Sequence, residues 1–160
     1  MGDVTVTREI PASPETVYDL VADLPRMGEW SPECERVEWT GEATAARVGA
    51  RFTGHNRHGS KKWSTHGEVT AADRGRELAF EIKSVFNLPV ARWGYRLEST
   101  ETGCRVTETM IDRRGWFIRN AGRLATGVTD RDARNHETMT RTLEQLEAAA
   151  TAAPGDGSAT

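Results

Sequence analysis

One carboxylate falls where carboxylates are seldom found. In the stretch Arg105–Ile111, Val106 and Met110 fix the apolar side of a predicted strand, and strict alternation places Glu108 between them on that side. A carboxylate among apolar side chains is rare unless it is paired or used. Desolvation raises its pKa and makes it a candidate general acid or base. Two readings stand for Glu108. Either it exchanges protons with a substrate, or it is structural: salt-bridged or hydrogen-bonded, with Asn56 as a candidate partner, or placed at the wet end of a cavity. Tyr95, on the apolar side of a second predicted strand, is the other side chain able to move a proton.

The same alternation indicates what surrounds the pair. Phe52 sets the phase of its strand and brings Gly54 and Asn56 to the same face, and Trp63 and Val69 do so for Thr65 and Gly67. Leu78, Phe80 and Ile82 point inward together, as do Ala91, Trp93, Tyr95 and Leu97. Asn135 and Met139 lie on the apolar stripe of the closing helix. The residues expected to contact a ligand are therefore Phe52, Asn56, Trp63, Thr65, Phe80, Trp93, Met110, Asn135 and Met139. The aromatics among them equally suit a simple core.

These residues need elements to hold them. Val4–Ile10 alternates as a strand. Ser13-Pro14 is a helix start, an N-cap side chain followed by Pro at the first helical position, and Val17, Leu20, Val21 and Leu24 keep helical spacing. The spacing predicts a helix to about Asp23, ended by Pro25, and a further helical turn over Met27–Trp30. Six more strands are predicted over Cys34–Thr40, Ala50–Asn56, Lys62–Ala72, Glu77–Ser84, Val90–Ser99 and Arg105–Ile111, with Gly, Asp, Asn or Pro at each break. Leu124, Val128, Asp132, Asn135, Met139, Leu143 and Leu146 then recur at intervals of three and four, which predicts a long helix from about Asn120 to Ala149. Strand, short helices, a run of strands and a long helix make an α+β protein, an antiparallel sheet with helices on one face. Such a sheet twists and curls, and one helix does not fill its concave side, which leaves room for a small apolar ligand.

Composition bounds the alternatives. With 160 residues, 37% hydrophobic and 28% charged, the chain suits one globular domain, expected over residues 1–149, with a disordered polar tail from 150 to 160. No stretch is apolar enough for a membrane span. The opening Met1-Gly2-Asp3-Val4 lacks a basic and an apolar region, and Val6 stands where a myristoylation signal needs Ser or Thr, so a cytoplasmic location is expected. Cys34 and Cys104 are expected as reduced thiols, and the four histidines are scattered without metal-ligand spacing. No Walker A, G-x-G-x-x-G, G-x-S-x-G or H-E-x-x-H pattern occurs, and no nucleophile is visibly paired with a base, so neither cofactor nor metal is expected. A net charge of −3 and the lack of a recognition motif argue against nucleic acid. Arg51, Arg57, Lys61 and Lys62 fall in one hairpin, and Arg113, Arg114, Arg119, Arg123, Arg131 and Arg134 cluster around the start of the last helix. They form either a solvated face or a basic rim that attracts an anionic ligand or an acidic acyl carrier protein.

Several segments resemble the START-like, helix-grip superfamily often called SRPBCC, and its polyketide cyclase/dehydrase branch in particular. They are Pro11-Ala12-Ser13-Pro14-Glu15-Thr16-Val17-Tyr18, Glu29-Trp30-Ser31-Pro32-Glu33-Cys34, Val48 to Arg57, Gly103-Cys104-Arg105-Val106-Thr107-Glu108 and Thr142-Leu143-Glu144-Gln145-Leu146-Glu147. The resemblance covers the chain to about Ala149. It implies a curved seven-stranded antiparallel sheet gripping a long C-terminal helix around a hydrophobic cavity, with two short helices after the first strand. It implies a small polyketide- or lipid-like ligand, handled by a cyclase/dehydratase or by a non-catalytic binder or carrier; in the enzyme the residues read from strand phase, Glu108 with Tyr95 or Asn56, are the ones expected to move protons. A protein-interaction module using the arginine-rich face is the third expectation.

Overall fold

The computed structural model describes residues 3–115, 120 and 130–152. Seven strands run as β1 (Val4–Ile10), β2 (Cys34–Trp39), β3 (Arg51–His58), β4 (Lys61–Asp73), β5 (Glu77–Ser84), β6 (Pro89–Thr100) and β7 (Gly103–Asp112). Helix α1 (Pro14–Val21) and a 3₁₀ helix (Leu24–Glu29) follow β1, and the long helix α2 (Arg131–Ala152) closes the chain. Strand limits fall within two residues of those expected. All pairings are antiparallel, in the order β1-β7-β6-β5-β4-β3-β2. The first two strands thus lie at opposite edges, and α1 with the 3₁₀ helix carries the chain from one edge to the other.

Ser13 caps α1 as its position before Pro14 suggests. Its Oγ accepts the Thr16 N–H at 3.1 Å, and Val17, Tyr18 and Val21 turn into the core. The expectation for Pro25 is corrected. The α-helix ends at Val21, and Pro25 instead occupies the first turn of the 3₁₀ helix, where its missing N–H costs nothing. Helix α2 runs three residues past the expected end, so 150–152 belong to it rather than to a disordered tail. Residues 153–160, and the expected helical positions Leu124 and Val128, lie outside the described residues.

The core lies between the concave face of the sheet and the helices. Leu143, Leu146 and Ala150 of α2 pack with Val17, Val21, Tyr95, Leu97 and Val106, while Met139 packs with Val4, Ala91 and Met110. Burying each such side chain contributes about 1.5–3 kcal/mol. Gly67 is fixed by this packing. It pairs with Phe52 across β3–β4, and a Cβ there would sit 2.0 Å from the Phe52 ring, which lies over the bare backbone and meets Phe80 edge-on at 5.4 Å.

Candidate functional site

Register brings the two proton-moving candidates together. Tyr95 of β6 and Glu108 of β7 are directly opposed, and the Tyr95 hydroxyl donates to Glu108 Oε1 at 2.9 Å. Both are buried, Glu108 to 2% exposure. Its neighbours on the face are Val106, which belongs to the Leu143 cluster, and Met110, which belongs to the Met139 cluster, so Glu108 lies on the buried face between the two. Glu108 Oε2 is buried and has no partner. Burial pushes the Glu108 pKa up to about 8, against a smaller lowering from the Tyr95 hydrogen bond. Burial, then the Glu108 charge, drives the Tyr95 phenol well above its ordinary value. At neutral pH the pair is therefore mostly a carboxylic acid beside a neutral phenol, and the acid has one oxygen free to donate. The hydrogen-bonded alternative named Asn56 as partner; the partner is Tyr95.

Cys34 stands at the start of β2, four places along the sheet order from the β6 strand of Tyr95. Burial holds the Cys34 thiol at about 11, so it is protonated. Cys34 and Cys104 are both free.

The other expected residues divide into two groups. Phe52, Phe80, Met110, Met139 and Asn135 are buried, and Phe52 and Phe80 are engaged with each other. Asn56, Trp63, Thr65 and Trp93 are half-buried. Asn56 and Thr65 converge over Gly54, where an added Cβ would stand 3.2 Å from the Thr65 hydroxyl and 3.9 Å from the Asn56 amide nitrogen. Asn56 opposes Trp63 in the register, and the Arg131 guanidinium lies over the Trp63 ring at 5.7 Å while reaching Glu33 at 3.0 Å. This cluster ties the N-terminus of α2 to the sheet end carrying the β3–β4 turn. A recess of about 520 Å³ lies elsewhere, lined by residues 40–45 and 47–51 between β2 and β3, and it includes none of the expected ligand contacts.

Sequence reasoning missed several of these features. Thr138 and Thr142 are buried beside the apolar stripe of α2; Thr142 donates to the Thr138 carbonyl at 2.8 Å, and the Thr138 hydroxyl has no partner. Their spacing of four, next to Met139 and Leu143, was the available signal. A nucleophile does stand beside a base, contrary to expectation: Ser64 Oγ lies 3.1 Å from His55 Nδ1, whose Nε2 is 3.4 Å from Glu38 Oε2. They come from three adjacent strands, β2, β3 and β4, and meet only through the sheet register. Among the described residues no group of three potential ligands could hold a metal ion, and no helix is long and apolar enough to cross a membrane.

The basic rim is largely answered in place. Arg51 meets Glu68, Arg57 and Lys62 share Glu35, Arg114 meets Asp112, Arg131 meets Glu33 and Arg134 meets Glu137. Acids distant in sequence supply several of these partners. Arg119 and Arg123 lie outside the described residues.

Solved structures share the architecture. A protein, Ms6760, from Mycobacterium smegmatis aligns at a TM-score of 0.63 and 22% identity, over 94% of this chain and 91% of that one. The major latex-like protein 151 of Panax ginseng aligns at 0.69 and 12%, over 93% and 97%. The AHSA1-like protein of Aeromonas hydrophila aligns at 0.62 and 19%, over 94% and 93%. At these identities the likeness is one of fold. No curated protein sequence matches the chain. The model of the family described as polyketide cyclase / dehydrase and lipid transport matches residues 1–151, and with the helix-grip architecture this makes the chain a member of that SRPBCC family.

Proposed function

We propose that the protein encloses a small, largely apolar, polyketide- or lipid-like molecule between the sheet and α2, with the Glu108–Tyr95 pair as its polar pole. Membership of the family implies a hydrophobic ligand cavity. The observation that carries the reading is Glu108 itself: buried, held as an acid near neutrality, with Oε2 unpartnered. A buried polar atom left without a partner costs about 1–3 kcal/mol. A ligand carbonyl or hydroxyl facing α2 would satisfy it, with the Thr138 hydroxyl and Asn135 as further polar groups on the helix. Met110, Met139 and Trp93 would supply apolar contact, and Asn56, Thr65 and Trp63 would line the end held by Arg131.

In the enzymatic form of this reading the protein is a polyketide cyclase/dehydratase. The Glu108 acid donates its proton to a ketone oxygen as the enol carbon attacks it, and the enol O–H proton returns to the carboxylate; in water loss the acid protonates the leaving hydroxyl and the resulting carboxylate takes the α-proton. Tyr95 orients the carboxyl and stays neutral. The cavity contributes by holding a floppy chain in one fold. The same pole without turnover describes a binder or carrier. An acidic acyl carrier protein as delivery partner has less support, since the basic side chains are mostly paired. The free thiols are in keeping with a cytoplasmic setting.

Native mass spectrometry of the purified protein, followed by solvent extraction, tests the reading. A retained apolar molecule supports it, and its recovery unchanged after incubation favours the carrier. Glu108→Gln is expected to keep binding and abolish any turnover. Absence of every apolar ligand, together with no uptake from a panel of polyketide and fatty-acyl probes, would remove the proposal.

A further inference from the structure

The largest exposed apolar side chains near one another sit at the β5–β6 turn. Phe86 is 82% exposed, Val85 54% and Leu88 46%. The turn that displays them is built tightly. Ser84 N–H donates to the Leu88 carbonyl and Asn87 N–H to the Ser84 carbonyl, each at 2.9 Å. The Ser84 hydroxyl accepts the Phe86 and Leu88 N–H groups, both at 3.3 Å. Asn87 takes the left-handed conformation this requires, at φ 61°, and Pro89 has no N–H to satisfy. The backbone donors of the tip are thus largely spent internally, so moving it out of water leaves few unmet amides.

Strand alternation puts this turn at the same end of the sheet as the β3–β4 turn, the end of β7 and the start of α2. Residues 57–62 and 83–92, which form the two hairpin tips, contain Arg57, Lys61, Lys62, Lys83 and Arg92 and no acid. Glu35 answers both Arg57 and Lys62, and Glu81 stands opposite Arg92 in the register; five cations against these two acids leave the tips net positive.

We propose that the Val85–Leu88 tip is a docking point for anionic lipid bilayers, with Phe86 entering the interface and the cations of the two hairpins meeting the headgroups. A convex tip of three apolar side chains is too small for a standard protein–protein interface, which buries about 800 Å² on each partner. It matches the pattern of surface-bound membrane proteins, apolar side chains at the acyl boundary with Lys and Arg behind them. The inference is independent of what the interior holds.

The test is co-sedimentation of the full chain with vesicles of one part phosphatidylserine to two parts phosphatidylcholine, and with phosphatidylcholine alone. The protein is expected to bind the anionic vesicles and to be released by added salt. Phe86→Ser with Leu88→Ser is expected to weaken binding by about tenfold or more, with circular dichroism unchanged because both side chains are solvent-exposed. Equal partitioning of wild type and variant, or no binding to anionic vesicles, overturns the proposal. Concentration-dependent dimerisation that the variant abolishes also overturns it, and assigns the tip to a second copy of the chain.

Discussion

Tyr95 and Glu108 face each other across β6 and β7, and the phenol holds one carboxyl oxygen while the other, equally buried, is held by nothing. An acid so placed couples its protonation to folding. The folded-state pKa of about 8 lies above the ordinary 4.5, so the stability the protonated form contributes is complete below the lower value. It is lost as pH rises to the upper one. Glu108→Gln carries no such loss. Urea melts at intervals from pH 5 to 8 are expected to show the variant gaining on the wild type by up to about 1.4 kcal/mol per pH unit. Parallel profiles would mean the carboxyl is not held as an acid.

Tyr95→Phe keeps the ring in the core and removes the donor. Both oxygens of Glu108 are then unmet, and the variant is expected to lose about 1–3 kcal/mol. Because the hydrogen bond lowers the Glu108 pKa, its removal moves the titration higher still. Carbon NMR of the labelled carboxyl reads that shift directly, and an unmoved or lowered midpoint contradicts the geometry.

Gly67→Ala tests the contact between β4 and Phe52. A methyl group at 2.0 Å from the ring must displace it, and displacement unpacks Phe52 from Phe80. The expected cost is about 1–3 kcal/mol, as for other overpacked sites. Phe52→Leu in the same chain is expected to recover part of it. A denaturation midpoint equal to wild type in the single variant rejects the close approach.

Arg131→Gln releases the start of α2 from both Glu33 and Trp63. The pair is only partly exposed, so about 1–2 kcal/mol is expected, less at high salt. Hydrogen exchange should quicken over the first turns of α2 and leave the Leu143–Ala150 stretch protected. A uniform change along the helix would show that this anchor is not local.

Much of this was legible from residue order because period carries direction. Alternation in β6 and β7 put Tyr95 and Glu108 on the concave side, and the three-and-four spacing of Asn135, Met139, Leu143 and Leu146 identified the buried face of α2. Their pairing was not legible. It depends on the register set by the Thr100–Gly103 turn, and a slip of one residue there would turn every side chain of a strand to the other face. Charge was misleading for a related reason. Arg57, Lys62 and Arg131 look unopposed along the chain, yet Glu33 and Glu35 reach them once β2 and α2 come alongside. The Ser64–His55–Glu38 contact was hidden likewise, since three strands must align before it exists.

The placement of β1 and β2 at the two rims of the sheet has a consequence for solubility. A bare outer strand offers a ladder of unmet amides to any passing chain. Here β1 is short, carries Arg8 and Glu9, and is clasped to α2 through Arg8 and Glu147. On the far side β2 is interrupted by an irregular pairing between Cys34 and Arg36 and bears Glu35, Arg36 and Glu38. Both borders are thereby poor templates for stacking one molecule on the next, which favours a protein that stays dispersed at high concentration.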